Sequence, residues 1–243
     1  MKDPGPAQRQ PVFQAPGVVI WLLGIFVAVF GAMAFLPPQV LLAVLDGFAF
    51  IPARFTGVEW TQLSTDPNQI FAITPVLTYA FLHGDLLHLL LNCLWFLAFG
   101  TPVARRLGGF AFLIFCAVTA ILAALAYWVL HLSSEIPMVG ASGTISGLMG
   151  GAVRFMFLDP RGTWGREGGL MPLTSQPVIA FSIMWVVINV VMGVWGVGTS
   201  SPEQSIAWEA HLGGYFAGLL LFSWFDWRRP SRTPGMVVFE EVR

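Results

Sequence analysis

Charged side chains are scarce in this sequence of 243 residues. Lys, Arg, Asp and Glu make up only 10 % of it, against roughly 25 % in soluble globular domains, whereas 56 % of the residues are hydrophobic. This composition excludes a disordered chain, and the net charge of −1 argues against a basic surface for nucleic acid. The long apolar runs predict a membrane protein, because six spans of about 20 residues would use about half of the chain.

Cysteines and metal-binding motifs are also few. The two cysteines, Cys93 and Cys116, lie inside apolar runs and are predicted to be packing residues rather than a disulfide. The sequence contains no C-x-x-C, no H-E-x-x-H and no acidic calcium-loop pattern. We therefore expect neither a metal ion nor another cofactor.

Six apolar segments are candidates for membrane helices. They lie at residues 17–36, 83–103, 109–131, 141–158, 177–197 and 207–226. The fourth is rich in small residues and the sixth carries polar ones, so both are weaker by hydropathy than the first and third. The first is not followed by the small-residue cleavage site of a signal peptide, and we predict that it is a permanent helix.

The basic residues predict how these helices are oriented. With both chain ends in the cytoplasm, eleven of the twelve Lys and Arg residues lie on the inner side, and Arg54 alone lies on the outer side. The opposite orientation would invert this ratio. We therefore predict an all-α membrane protein with a six-helix domain over residues 17–226, a cytoplasmic N-terminus over residues 1–16 and a cytoplasmic tail over residues 227–243.

The segment between the first two spans is too long and too hydrophobic for a simple connection. It runs from Pro37 to about Leu82, and residues 40–51 are predicted to form a helix that lies along or partly within the outer membrane interface. Residues 159–176 are Gly-rich and charged, and residues 197–206 are small and polar. Both of these segments are predicted to be connecting loops.

Four polar side chains stand out inside the predicted spans, where polar groups cost free energy and are candidates for function. His88 and Asn92 lie one turn apart in the second span, Ser142 begins the fourth, and His211 lies near the start of the sixth. All three spans run from the outer to the inner side. The four residues are therefore predicted to lie at similar depth in the outer half of the membrane.

Glycine spacing predicts that the fourth and sixth spans pack closely. Each span carries two glycines four residues apart, a spacing that lets helices approach one another: Gly143 and Gly147 in the fourth, Gly214 and Gly218 in the sixth. Contact between these faces would bring Ser142 to His211. A serine hydroxyl within reach of an imidazole is the arrangement of an activated nucleophile and its general base.

The same four residues suggest an oxyanion hole. Ser142 opens a helix, so its backbone N–H lacks an intrahelical partner and points toward developing negative charge. The side chains of His88 and Asn92 could complete the set of donors.

Each feature alone has a simpler interpretation. An intramembrane serine usually bonds its own helix, a membrane histidine often packs or conducts protons, and an asparagine often makes an interhelical hydrogen bond. The combination at one depth favours catalysis. His131 and Asn189 fit nothing in this scheme and are interpreted as interfacial or structural.

Three motifs resemble those of the rhomboid family of intramembrane serine proteases, in the family's order and on its second, fourth and sixth helices. They are H-x-x-x-N from His88 to Asn92, G-x-S-G from Gly140 to Gly143, and H-x-x-G-x-x-x-G from His211 through Gly214 to Gly218. The upstream His83 matches a family position as well. The resemblance covers roughly residues 17–226.

The resemblance implies a site and a substrate class. It implies that Ser142 is the nucleophile and His211 its base, with no acidic third member, and that the Ser142 amide, His88 and Asn92 stabilise the oxyanion. It implies membrane-protein substrates, single-span helices among them, cut in the lipid bilayer without nucleic acid, metal or cofactor. The short N-terminus is unlike an organelle presequence, so we expect a bacterial inner membrane with the site facing the outer side.

Two positions depart from the family's pattern. The first loop has Thr74-Pro75 where the family often has Trp-Arg, which leaves the anchoring of this loop open. The fourth helix has Ser146 where the family often has a tyrosine that stacks on the histidine. Tyr215 is a candidate to hold His211 instead.

Two other functions are compatible with some of these features. A proton-coupled transporter or channel would explain polar groups at depth, but Asp85 and Glu209 lie at the ends of spans rather than inside them. A non-catalytic relative that binds membrane proteins would typically lack the serine or the histidine, and this sequence has both.

Overall fold

The structure is a computed structural model that describes residues 15–58, 73–158, 169–195 and 207–226, which are mostly α-helical. The helices are α1 (Gly17–Ala34), α2 (Pro38–Phe48), α3 (Pro52–Thr56), α4 (Pro75–Thr78), α5 (Leu86–Leu107), α6 (Gly109–Leu130), α7 (Ser142–Val153), α8 (Gln176–Trp195) and α9 (Trp208–Phe225). Short 3₁₀ turns lie at Tyr79–Phe81 and Met156–Leu158. The predicted termini and loop 197–206 lie outside the described residues, apart from residues 15 and 16.

Six of these helices correspond to the six predicted spans. Among the described residues, α1, α5, α6 and α8 are both long and apolar enough to cross a membrane. Only 11 % of the residues in the apolar windows of α1 and α8 are buried, so these two helices form an outer layer. The all-α membrane bundle predicted from the sequence is confirmed.

Helix α7 lies at the centre of the bundle. Every residue from Gly143 to Val153 is buried, and the helix packs against α5, α6 and α9. Its 12 residues span about 18 Å, less than the roughly 30 Å of a bilayer core. Because α7 is too short to cross the bilayer, at least one of its ends lies within the depth of the membrane.

The end of α7 corrects the predicted fourth span, 141–158. The α-helix stops at Val153, because the N–H groups of Arg154 and Phe155 bond carbonyls three residues back instead of four. The guanidinium of Arg154 donates to the carbonyl oxygens of Met171, at 2.8 Å, and Leu219, at 3.0 Å. Hydropathy continued the span past this point because Phe155, Met156 and Phe157 are also apolar.

Glycines allow α7 to approach α9 closely. A Cβ atom on Gly214 would overlap the carbonyl oxygen of Gly143, and one on Gly218 would overlap that of Gly147. The two α7 glycines themselves face α6, where added Cβ atoms would collide with Ala123 and Thr119. Helix α7 is therefore wedged between α6 and α9, a closer enclosure than the two-helix contact predicted from the spacing.

The first loop is tied to the segment that follows α6. Phe50 and Met138 exchange two backbone hydrogen bonds, of 3.0 and 2.9 Å. The hydroxyl of Thr56 donates to the carbonyl of Leu132 and accepts from the indole N–H of Trp128, both at 2.8 Å. These bonds tie residues 50–56 of the first loop to the protein itself.

Among the described residues, two ion pairs between Arg and Asp side chains lie at opposite ends of the bundle. In the first loop, Arg54 pairs with Asp46 and its hydrogen bond lowers the pKa of that carboxyl. At the other end, the almost fully buried Arg106 and Asp226 pair at 2.8 Å and tie the end of α5 to the end of α9. This buried pair links the two helix ends directly.

Candidate active site

The segment before α7 positions Ser142. Gly140 adopts a φ of 116°, a conformation that favours glycine, and its N–H donates to the carbonyl of Tyr79 at 3.0 Å. A Cβ atom at Gly140 would lie 2.6 Å from Nε2 of His88. Glycine is therefore favoured here for two reasons, the turn and the close approach of the imidazole. His88 lies beside the segment that leads into Ser142.

Ser142 and His211 are in direct contact. The distance between Ser142 Oγ and His211 Nε2 is 2.8 Å, although the two residues are 69 positions apart in the sequence. Both belong to the first turn of their helices, α7 and α9, and the glycine crossing below them sets the spacing of those helices. In such a pair, the imidazole can remove the hydroxyl proton as the serine oxygen attacks a carbonyl.

Asn189 of α8 also contacts His211. Its Oδ1 lies 2.8 Å from His211 Nδ1, and the side chain is buried. From the sequence alone, Asn189 is interpreted as interfacial or structural, because a single asparagine in an apolar helix matches no motif. The sequence does carry one signal for this residue, which is its depth. Position 189 lies beyond the midpoint of a span predicted to run from the inner to the outer side, at the depth predicted for the other four residues.

Tyr215 does not take the place of the family's stacking tyrosine. Its hydroxyl bonds Ser182 Oγ of α8 at 2.7 Å, and its ring stacks on Phe181. Ser146, which occupies the family's tyrosine position, donates to the carbonyl of Ser142 at 2.9 Å. Asn189, rather than Tyr215, makes the polar contact to Nδ1 of the His211 ring.

His88 and Asn92 lie one turn apart near the start of α5. The carboxylate of Asp85 caps the helix and accepts from the backbone N–H of His88 at 2.8 Å. Asn92 is buried, and its Nδ2 donates to the carbonyl of His88 at 2.8 Å. A primary amide carries two hydrogens, so this bond uses one of the two donors.

The remaining histidines have other neighbours. His83 is buried between Phe26 and His88, with ring centroids 5.5 and 5.2 Å away. His131 lies beyond the end of α6 and its Nε2 is 3.1 Å from a carboxylate oxygen of Glu209, at the start of α9. This contact is consistent with the interfacial or structural interpretation of His131.

In the part of the chain that the structure describes, no group of three or more His, Cys, Asp or Glu side chains is arranged to hold a metal ion. Both cysteines are free thiols that are partly buried among apolar neighbours.

Proteins that are named proteases are similar in sequence to this chain. The chain is similar to the Rhomboid protease GlpG of Serratia proteamaculans (strain 568), with 30 % identity over 169 residues, which are 70 % of this chain and 54 % of the relative. It is similar to the protein of that name from Yersinia pestis (strain Pestoides F), with 30 % identity over 176 residues, which are 72 % and 56 % of the two chains. The matched regions span about half the length of these relatives.

The Rhomboid domain family matches residues 71–229, well over half of the chain. This range begins before α4 and continues past the end of α9, so it contains the Ser142–His211 contact together with α5 and α8. By the extent of this match, and by its similarity to the GlpG proteins, the chain belongs to the Rhomboid family.

Proposed function

We propose that this protein is an intramembrane serine endopeptidase that cleaves transmembrane segments of membrane proteins. The observation that carries the proposal is the 2.8 Å contact between Ser142 Oγ and His211 Nε2 at the start of a central helix that is too short to cross the bilayer. The relatives are named proteases, which supports the same reaction class.

The proposed reaction has two steps. In the first, Ser142 Oγ attacks the peptide carbonyl carbon and its proton passes to His211 Nε2. Collapse of the tetrahedral intermediate breaks the peptide C–N bond, and the same proton is given to the leaving amine, which leaves an acyl ester on Ser142. In the second, His211 removes a proton from water as the water attacks the ester, and then returns it to the serine oxygen.

The oxyanion of both intermediates needs hydrogen-bond donors. We assign this role to the Ser142 backbone N–H and to the side chains of His88 and Asn92. Ser142 is the first residue of α7, where backbone N–H groups have no intrahelical acceptor and the helix dipole favours negative charge. His88 lies against Gly140, two residues before the nucleophile, and this proximity supports its assignment.

The proposal includes a location and a class of partner. The bias of Lys and Arg supports cytoplasmic termini, and the membrane that we propose is a bacterial inner membrane with the site facing its outer side. Substrates are membrane proteins, single-span helices among them, that reach the site from the lipid bilayer. Residues 17–226 form the protease domain, and the proposed chemistry uses protein groups and water, without a metal or cofactor.

The function is tested with the purified chain in detergent and in proteoliposomes. We expect cleavage of a single-span reporter protein and covalent labelling of Ser142 by a fluorophosphonate probe. Mass spectrometry locates both the cut and the label. Absence of cleavage across several reporters, together with absence of labelling, would contradict the proposal and favour a protein that binds membrane helices without cutting them.

Asn92→Ala tests the oxyanion assignment. We expect kcat for reporter cleavage to fall by about 10–1000-fold with little change in KM, because the lost hydrogen bond forms in the transition state. Cys93→Ala is the matched control, since Cys93 is the next residue of α5 and packs against apolar neighbours. Wild-type turnover by Asn92→Ala would remove this residue from the oxyanion site.

A further inference from the structure

We propose that Asn189 is a third member of the catalytic unit, a positioning residue that holds the His211 imidazole in the tautomer able to accept the Ser142 proton. The inference rests on the proposed protease function and adds to it a residue that no motif identifies. Its basis is a chain of three hydrogen bonds that runs from α8 through His211 to Ser142.

The first bond fixes the orientation of the amide. Asn189 Nδ2 lies 2.9 Å from the carbonyl oxygen of Trp185, one turn earlier in α8. A carbonyl only accepts, so the atom facing it must be the NH₂ group. The opposite flip would bring two acceptors together, and the amide oxygen therefore faces His211.

The second bond fixes the proton on the ring. Asn189 Oδ1 lies 2.8 Å from His211 Nδ1, and an amide oxygen only accepts. Nδ1 must therefore carry the hydrogen, which leaves Nε2 with a free lone pair in the neutral ring. That nitrogen faces Ser142 Oγ at 2.8 Å, the third bond, and is the one that has to act as the base.

The same contact assists the charged state of the ring. When His211 takes the serine proton it becomes an imidazolium, whose Nδ1–H is a stronger donor to Asn189 Oδ1. A neutral amide stabilises this cation less than a carboxylate would, but it fixes the ring in the same way. Asn189 is only 4 % exposed, so water does not compete for the bond.

A purely structural role is the competing explanation, because asparagines often link membrane helices. The chain provides a direct comparison. Ser182, seven residues earlier and on the same face of α8, bonds the Tyr215 hydroxyl of α9 at 2.7 Å. Ser182 and Asn189 thus tie the same two helices by similar bonds, and only Asn189 touches the proposed base.

The test compares Asn189→Leu with Ser182→Ala. We expect Asn189→Leu to lower kcat and the rate of fluorophosphonate labelling by about 10–100-fold, the loss typical of a group that orients a functional ligand or side chain, with KM within about twofold. Ser182→Ala should keep both rates within about threefold of wild type. Thermal unfolding of the two variants is measured alongside, so that a difference in stability is detected.

A second readout does not depend on turnover. Protein labelled with ¹⁵N-histidine reports by NMR which nitrogen of each ring is protonated, and the His211 signal is identified by its loss in His211→Gln. We expect the Nδ1–H tautomer in the wild type and in Ser182→Ala, and a shift toward the Nε2–H form in Asn189→Leu.

The outcomes separate this inference from the proposed function. An unchanged tautomer in Asn189→Leu, or equal losses of activity in Asn189→Leu and Ser182→Ala, would overturn the positioning role while leaving the protease intact. The wild type could also neither cleave the reporters nor be labelled, while its His211 shows the Nδ1–H form and Asn189→Leu loses that form. This result would overturn the protease function and retain the positioning of His211.

Discussion

Replacing Ser142 by alanine is expected to abolish proteolysis, with kcat for reporter cleavage lowered by roughly 10⁴–10⁶-fold. The substitution removes the only atom in the proposed mechanism that forms the acyl bond. His211→Ala should cause a loss of the same order. Because the two side chains act as one unit, the double variant should be no less active than either single variant.

Ser146→Ala is the control for this series. Ser146 lies one turn after Ser142 in the same helix, and its hydroxyl bonds the Ser142 carbonyl rather than the imidazole. This variant should retain cleavage and probe labelling within about threefold, since the lost bond is one to its own helix. Cleavage that persists in Ser142→Ala would show that the nucleophile has been wrongly assigned.

Gly218→Ala is expected to have the largest effect on stability. An added methyl group at this position would overlap the carbonyl oxygen of Gly147, so α7 and α9 must move apart or distort. Overpacking of this kind typically costs about 1–3 kcal/mol and occasionally more. Activity should fall as well, because the same movement lengthens the 2.8 Å contact between Ser142 and His211.

The measurement is unfolding in SDS or by heat, followed by circular dichroism and by loss of cleavage. Gly24→Ala in α1 is the matched control, because an added Cβ atom there would meet no other atom within 4 Å. It is the same chemical change in a membrane helix, at an exposed position. Equal stability of Gly218→Ala and Gly24→Ala would contradict the close crossing of α7 and α9.

Much of the fold could be predicted because it depends on local composition. The apolar runs gave the positions of the spans, and the small residues of the fourth and sixth spans indicated that these two helices approach each other. The contact between Ser142 and His211 follows from that approach, since each residue lies on the first turn above a glycine pair. The catalytic roles of these residues stay predictions until the variants are measured.

Other features depend on contacts between distant segments, which no local pattern reports. The bond from Asn189 to His211 requires the rotation of α8 about its axis, and hydropathy does not define this rotation in a helix that is apolar on nearly all sides. The anchoring of the first loop depends on backbone bonds between Phe50 and Met138. The contacts of the Arg154 guanidinium just after α7 depend on the distant carbonyls of Met171 and Leu219.

The wedging of α7 between α6 and α9 has a consequence for how this protein can be altered. At the glycines of the α7–α9 crossing, where backbone meets backbone, every substitution adds atoms, so these positions have no room for a dye, a crosslinker or a spin label. The lipid-facing sides of α1 and α8 have open space, as at Trp21 and Ile183, which are 76 % and 60 % exposed. Reporter groups that follow the motion of this protein in a bilayer therefore belong on these two helices, where they would leave the interior unchanged.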